Sequence, residues 1–258
     1  MSTARKPRPR RMSADERKQS ILRAAGGVMA QAGLHGTSVR EIAEAAGVSE
    51  ALLYRHFPSK QALYDEALAA ARQFSRATIE RFATLRASTE SFVLLTYATI
   101  DFILFGFPGR PDHEQGAERL LFQSLLDDGA HARTVFADTA ANWMGYVTAS
   151  YAAAIDAGDL LELPGEPALR FRFVQQLAMA LKLSHLPHPP ALEYSGTERD
   201  LADQAVLFSL RGVGVTDAAI RRYFRPQRLS AALAELFPER REFSASKNRA
   251  TPTGRPRH

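Results

Sequence analysis

The sequence predicts an all-α fold. Apolar residues recur at three- and four-residue spacing along almost the whole chain, alternating apolar and polar runs are scarce, and the joining stretches are rich in proline or glycine. With 258 residues, 45% hydrophobic and 24% charged, the chain has the length for a small domain joined to a larger one. The expected order is a basic tail over residues 1–12, a three-helix head over 13–70, a helical body over 71–238 and a second basic tail over 239–258. Both tails are polar, proline-bearing and poor in apolar residues, so both are expected to be disordered.

Helix one of the head follows from the stripe Ile21, Leu22, Ala25, Val28 and Met29, with an expected end near Gly33, a residue suited to a left-handed C-cap. Gly26-Gly27 inside it should cost on the order of 1–2 kcal/mol against alanine. Helix two begins at Ser38, whose spacing to Glu41 is that of a capping box, and runs to Ala46 before Gly47. Ser49 caps a short third helix, Glu50 to His56, which Pro58 stops. A fourth starts near Ser59, with Leu63, Tyr64, Ala67, Leu68 and Ala71 as its inner stripe. Beyond Arg76, helices are expected at about 89–106, 114–127, 131–157, 167–184, 198–211 and 216–236. Loops separate them at 107–113, 158–166 and 187–197, and no repeat of 20 to 50 residues appears.

Two short helices joined by Ala46-Gly47-Val48-Ser49 have the spacing of a helix-turn-helix, in which glycine makes the tight turn and the second helix enters the major groove. Ile42, Ala43, Val48, Leu53 and Phe57 can close one small core, leaving Arg40, Glu50, Ala51, Tyr54, Arg55 and His56 outside. That outer set suits a duplex. Arg40 can pair with a guanine edge, Tyr54, His56 and Lys60 can reach phosphates, and Ala51 permits approach to a thymine methyl. The amino ends of helices two and four, at Thr37–Ser38 and Ser59–Lys60, offer free amides to phosphate. Spacing alone does not separate this reading from a plain helical pair with a glycine turn.

The full string separates them. Gly36-Thr37-Ser38-Val39-Arg40-Glu41-Ile42-Ala43-Glu44-Ala45-Ala46-Gly47-Val48-Ser49, with Leu53-Tyr54-Arg55-His56-Phe57-Pro58-Ser59-Lys60, closely resembles the TetR family of bacterial transcriptional regulators over about residues 17 to 70. The resemblance implies a three-helix DNA-binding head, a larger helical body, a homodimer held by the last major helices, and ligand-controlled release from an operator. It implies that Thr37 and Tyr54 contact phosphates, that Arg40 and the stretch Glu50, Ala51, Leu52 face bases, and that His56 and Lys60 grip the backbone. Ser49 would cap the recognition helix. Met29 stands where the family often has phenylalanine, and Leu52 is bulkier than usual there.

The body is aromatic from about 89 to 157, and an apolar pocket is what a small-molecule sensor needs. Phe102, Phe105, Phe122, Trp143 and Tyr146 are the candidate lining for an unknown apolar or aromatic effector, with plain core packing as the alternative. Leu169, Phe173, Leu177 and Leu181 on 167–184, with Val206, Leu207 and Leu210 on 198–211, form stripes that fit a four-helix dimer interface or burial within one subunit.

The formal net charge is +5, but five basic residues precede Ser13 and the stretch from Glu239 is also net basic, so the middle of the chain is net acidic. The head itself is mixed, with Glu41, Glu44 and Glu50 beside Arg40 and Arg55. The N-terminal tail is either a minor-groove arm or a solubilising segment. With no cysteine there is no thiolate metal site or cysteine nucleophile. His185 and His188 lack partners to complete a metal set, so no metal or cofactor is expected. No signal peptide or membrane span is expected, and the location expected is cytoplasmic. No P-loop, dinucleotide glycine pattern, zinc-protease motif or nucleophile elbow suggests an enzyme. The remaining alternatives are an activator of the same family and a non-specific architectural DNA protein.

Overall fold

The computed structural model describes residues 12–106, 117–187 and 189–239. About three quarters of it is helix, and the one β-type pairing among the described residues is an isolated antiparallel bridge between Leu160 and Val215. The expected all-α class holds. Most of both basic tails, the loop at 107–113 and His188 lie outside the described residues.

The chain divides into two compact units. The first contains α1 (Ala14–Gly36), α2 (Val39–Ala46), α3 (Glu50–His56), the start of α4 (Lys60–Glu80) and α6 (Ala117–Leu126). Ser13 and Glu16 close a capping box at the start of α1. The helix passes through Gly33 and ends at Gly36, with Thr37 as C-cap, because the glycines near its end are accommodated as ordinary helical residues. Ile21, Leu22, Ala25 and Met29 from α1 meet Ile42, Ala43, Leu53, Phe57, Leu63 and Tyr64 in one core. Lys18 forms an ion pair with Glu66 and sits 5.7 Å from the centre of the Phe57 ring, which ties α1 to α4.

α6 packs against α1, and Leu120 joins the core of the first unit. The sequence reading placed this stretch within a continuous body. An apolar face on a helix shows that something covers it, not which element does.

The second unit is built around α5 (Thr89–Phe105), buried continuously from Ser91 to Phe102. A helix that is apolar all round must be surrounded. The residues around it come from α7 (Ala130–Asp156), α8 (Pro167–Ser184), α9 (Glu198–Gly212), α10 (Asp217–Tyr223) and α11 (Pro226–Leu236). The polar groups of α5 find partners both within the helix and on other elements. Thr96 and Thr99 donate to the carbonyls of Phe92 and Leu95 at 2.9 and 2.8 Å, and Thr89 donates to Asp159 at 2.8 Å.

The single helix expected at 216–236 is two. Arg225 is extended (φ −127°, ψ 91°) before Pro226, as the clash of a proline ring with the preceding residue requires. At the preceding corner Gly214 has φ +97°, and a Cβ there would lie 3.1 Å from the Leu161 carbonyl oxygen. Its own carbonyl accepts from the Leu161 amide at 2.8 Å, so only glycine fits this corner without strain.

Candidate nucleic-acid interface

The turn between α2 and α3 rests on Gly47, which takes φ 63°, ψ 37° and donates to the carbonyls of Ala43 and Glu44. Val48 then donates back to Ala43 at 2.9 Å, closing the α2 terminus. Ser49 starts α3 by accepting the Leu52 amide at 3.2 Å, and Ser38 starts α2 by accepting the Glu41 amide at 3.1 Å. In return the Glu41 carboxylate takes the Ser38 amide at 2.7 Å. The backbone and hydroxyl of Ser38 hold Glu41 below the usual carboxylate range. Both serines therefore fix the two helices, and the Ser38 hydroxyl both donates to the Glu41 carboxylate and accepts from the Glu41 amide.

With Ile42, Ala43, Leu53 and Phe57 turned inward, the other face is set by helical period. Ser38, Arg40, Ser49, Glu50, Ala51, Tyr54 and Arg55 are exposed, while Leu52, His56 and Lys60 are half-buried. The His56 ring leans on Phe57 at 6.4 Å between centres. Thr37, by contrast, is only 3% exposed. The structure thus gathers Arg40, Glu50, Ala51, Tyr54 and Arg55 on the solvent side of the helix pair, and sets Thr37 into it. Sequence reasoning missed one partner: Arg40 donates through Nε to Glu44 at 2.9 Å. The one-turn spacing of opposite charges was its signal.

The candidate effector residues scatter. Phe102 and Trp143 share an aromatic cluster with Phe82 and Phe237, in which Trp143 meets Phe82 edge-on at 4.9 Å and donates from Nε1 to Thr99 at 3.1 Å. Tyr146 is half-buried against the same core, and Phe105 lies beneath the Arg199 guanidinium at 4.3 Å. Phe122 is on α6, in the first unit. A separate shallow surface cleft, with room inside for little more than one water, is lined by Phe92, Met144, Val147, Tyr151 and Phe171 among others.

The proposed interface stripes separate in the same way. Leu169 and Phe173 are exposed, Leu177 and Leu207 are half-buried, and Leu181, Val206 and Leu210 belong to the subunit's own core. Phe208 and Leu183, which the stripes omitted, are exposed. His185 stacks on Tyr194 at 5.6 Å and its Nδ1 faces the Leu181 carbonyl at 2.8 Å.

A capped helix pair joined by a left-handed glycine, with a mixed polar face on the second helix, has the geometry of a helix-turn-helix. Residues 21–67 match the family model of bacterial regulatory proteins, tetR family, which supports a TetR-type head. It is 34% identical over 125 residues to the transcriptional activator FasR of Mycolicibacterium smegmatis, covering 45% of this chain and 50% of that protein. It is 35% identical over 92 residues to the transcriptional repressor KstR2 of Rhodococcus jostii, covering 33% and 44%. The chain spans about half the length of the curated relatives it matches. The fold extends further, since the regulator FadR of Bacillus subtilis, solved with stearoyl-CoA, superposes with a TM-score of 0.53 at 16% identity over 75% of this chain and 98% of that one.

Proposed function

We propose that the chain is a homodimeric, ligand-responsive repressor that leaves its operator when a small apolar or aromatic effector occupies the body. The observation that carries the DNA-binding half is the α2–Gly47–α3 geometry, which leaves Arg40, Glu50, Ala51, Tyr54 and Arg55 exposed. The buried Thr37 suits a role beneath the phosphate contacts of Tyr54, His56 and Lys60 better than a direct one.

The homodimer is supported by large apolar side chains left in water on α8 and α9. Phe173 is 60% and Phe208 70% exposed, and Leu169 and Leu183 extend the α8 face at helical spacing. An apolar effector is supported by the aromatic content of the second unit and by the stearoyl-CoA bound in the FadR neighbour. Two recognition helices of a dimer must match half-sites roughly 34 Å apart. A ligand that prefers another spacing shifts the population off DNA. The working place is the cytoplasm, and the function calls on no catalytic group.

FasR is an activator, which supplies a second reading in which the same head recruits transcription. One experiment tests both. Fragments of the source genome bound by purified protein are sequenced, the complexes are challenged with metabolites of neighbouring pathways, and a reporter is followed with the gene present and deleted. Repression predicts reporter output that rises on deletion and on addition of the releasing metabolite. Output that falls on deletion supports activation. Binding to random duplex as tight as to any selected fragment overturns both and leaves an architectural protein.

A further inference from the structure

Arg40 and Glu44 both stand exposed on the outer face of α2, joined by the 2.9 Å bond from Nε to Oε1. Glu44, by hydrogen bond and charge, and then Glu50 at the start of α3, raise the guanidinium above its ordinary value. Arg40 therefore stays charged and sits among carboxylates. The pairing occupies only its Nε side, and within the described residues Nη1 and Nη2 make no hydrogen bond. Those two end groups have the fork geometry that matches O6 and N7 of guanine.

An unpaired surface arginine is drawn to any phosphate it can reach, which gives affinity without sequence preference. Arg40 differs, because its Nε bond to Glu44 restricts the direction in which its two end groups point. Swinging away from that direction breaks the bond and leaves the Glu44 carboxylate uncompensated beside a polyanion. We propose that Glu44 is a positioning residue that makes Arg40 a reader of guanine instead of a general phosphate binder. The partner this fits is a duplex that presents a G·C pair in the major groove to α2. The proposal rests on the DNA-binding reading above. An exposed pair of this spacing contributes little to stability, so its removal leaves the fold in place.

The test uses the full chain as wild type, Arg40→Ala, Glu44→Ala and Glu44→Gln. The probes are the duplex that the wild type selects from a random pool, versions with each G·C pair changed in turn to A·T, and random duplex, all over a range of salt. Arg40→Ala is expected to lose a preference on the order of tenfold at one G·C pair. Glu44→Ala should bind random duplex more tightly, with a salt dependence steeper by about one phosphate contact. Its discrimination at the same pair should fall to within about twofold, as expected once the fork is no longer held. Glu44→Gln, whose amide oxygen still accepts from Nε, should keep the discrimination. A Glu44→Ala protein that gains affinity for all duplexes equally and keeps its discrimination overturns the proposal, because Glu44 then acts only through its charge. Arg40→Ala with every preference unchanged overturns it too, while leaving the regulator reading intact. A wild type that selects no sequence overturns that reading first, and this one with it.

Discussion

Arg199 on α9 donates from Nη1 to Oδ1 of Asp101 on α5 at 2.7 Å, and from the same nitrogen to the Tyr97 hydroxyl at 2.9 Å. The two partners are unequal. Asp101 is 1% exposed, whereas the arginine side chain is 40% exposed and lies over Phe105. Burial would lower the guanidinium, but Asp101 overcomes this and holds it above its ordinary value.

That inequality predicts an asymmetric pair of variants. Arg199→Ala strips a buried carboxylate of its cation and should cost about 3–5 kcal/mol. Asp101→Asn keeps an acceptor for an arginine that can still reach water, and should cost about 1.5–3 kcal/mol. Urea unfolding measures both. Equal losses would mean that the pair acts only as packing.

Asp203, one turn along α9 from Arg199, predicts a pH dependence. Burial raises its pKa, Arg199 opposes this, and the charges of Asp200 and Asp101 add to the rise. A carboxyl with a folded value above its unfolded one makes the fold pay as pH rises through the interval between them. Asp203→Asn should therefore raise the melting temperature at neutral pH, with the gain vanishing below the ordinary aspartate range. Glu41 and Asp200 work in the opposite sense. Each is lowered by the backbone and hydroxyl of its capping partner, Ser38 or Thr197. Their stabilisation is present above the unfolded values and is lost as pH falls through the folded ones, so Glu41→Gln should flatten the acid limb of the melting curve.

Gly47→Ala forces a Cβ onto a backbone at φ 63°, where nothing lies within 4 Å of the added atom. The cost is therefore conformational, about 1–2 kcal/mol. Thermal melting should show that loss, and operator affinity should fall beyond it if the turn opens. Unchanged melting would mean that the α2 terminus tolerates another closure.

The head was legible because its signals are local. Ser38 with Glu41, Ser49 and Gly47 mark α2 and α3 at the boundaries the structure shows, since caps and left-handed turns depend on a few adjacent residues. The break at Arg225–Pro226 was equally local, but the apolar periodicity on both sides of it read through. Non-local facts were not legible. That Leu120 of α6 joins the α1 core depends on which neighbours arrive. Phe102 and Trp143 were visible as aromatics at helical spacing, but their packing on Phe82 and Phe237 links residues far apart in the chain.

The α8 and α9 stripes give the last prediction. Periodicity marks Leu169, Phe173, Leu181 and Leu210 alike, but burial separates them, with Leu181 and Leu210 in the subunit's own core and Leu169 and Phe173 left outside. Residues already in water cost the isolated fold little when made polar, while a partner resting on them would be lost. Phe173→Glu with Phe208→Glu should therefore leave helix content and melting of the subunit nearly unchanged at low concentration. Light scattering at micromolar concentration should report a dimer for the wild type and half that mass for the double variant. Operator affinity should drop steeply with it, because a single head reads only one half-site. Leu181→Glu is the contrast, since it places a charge in the core and should unfold the subunit whatever its partner does. A double variant that stays dimeric would move the interface off this face.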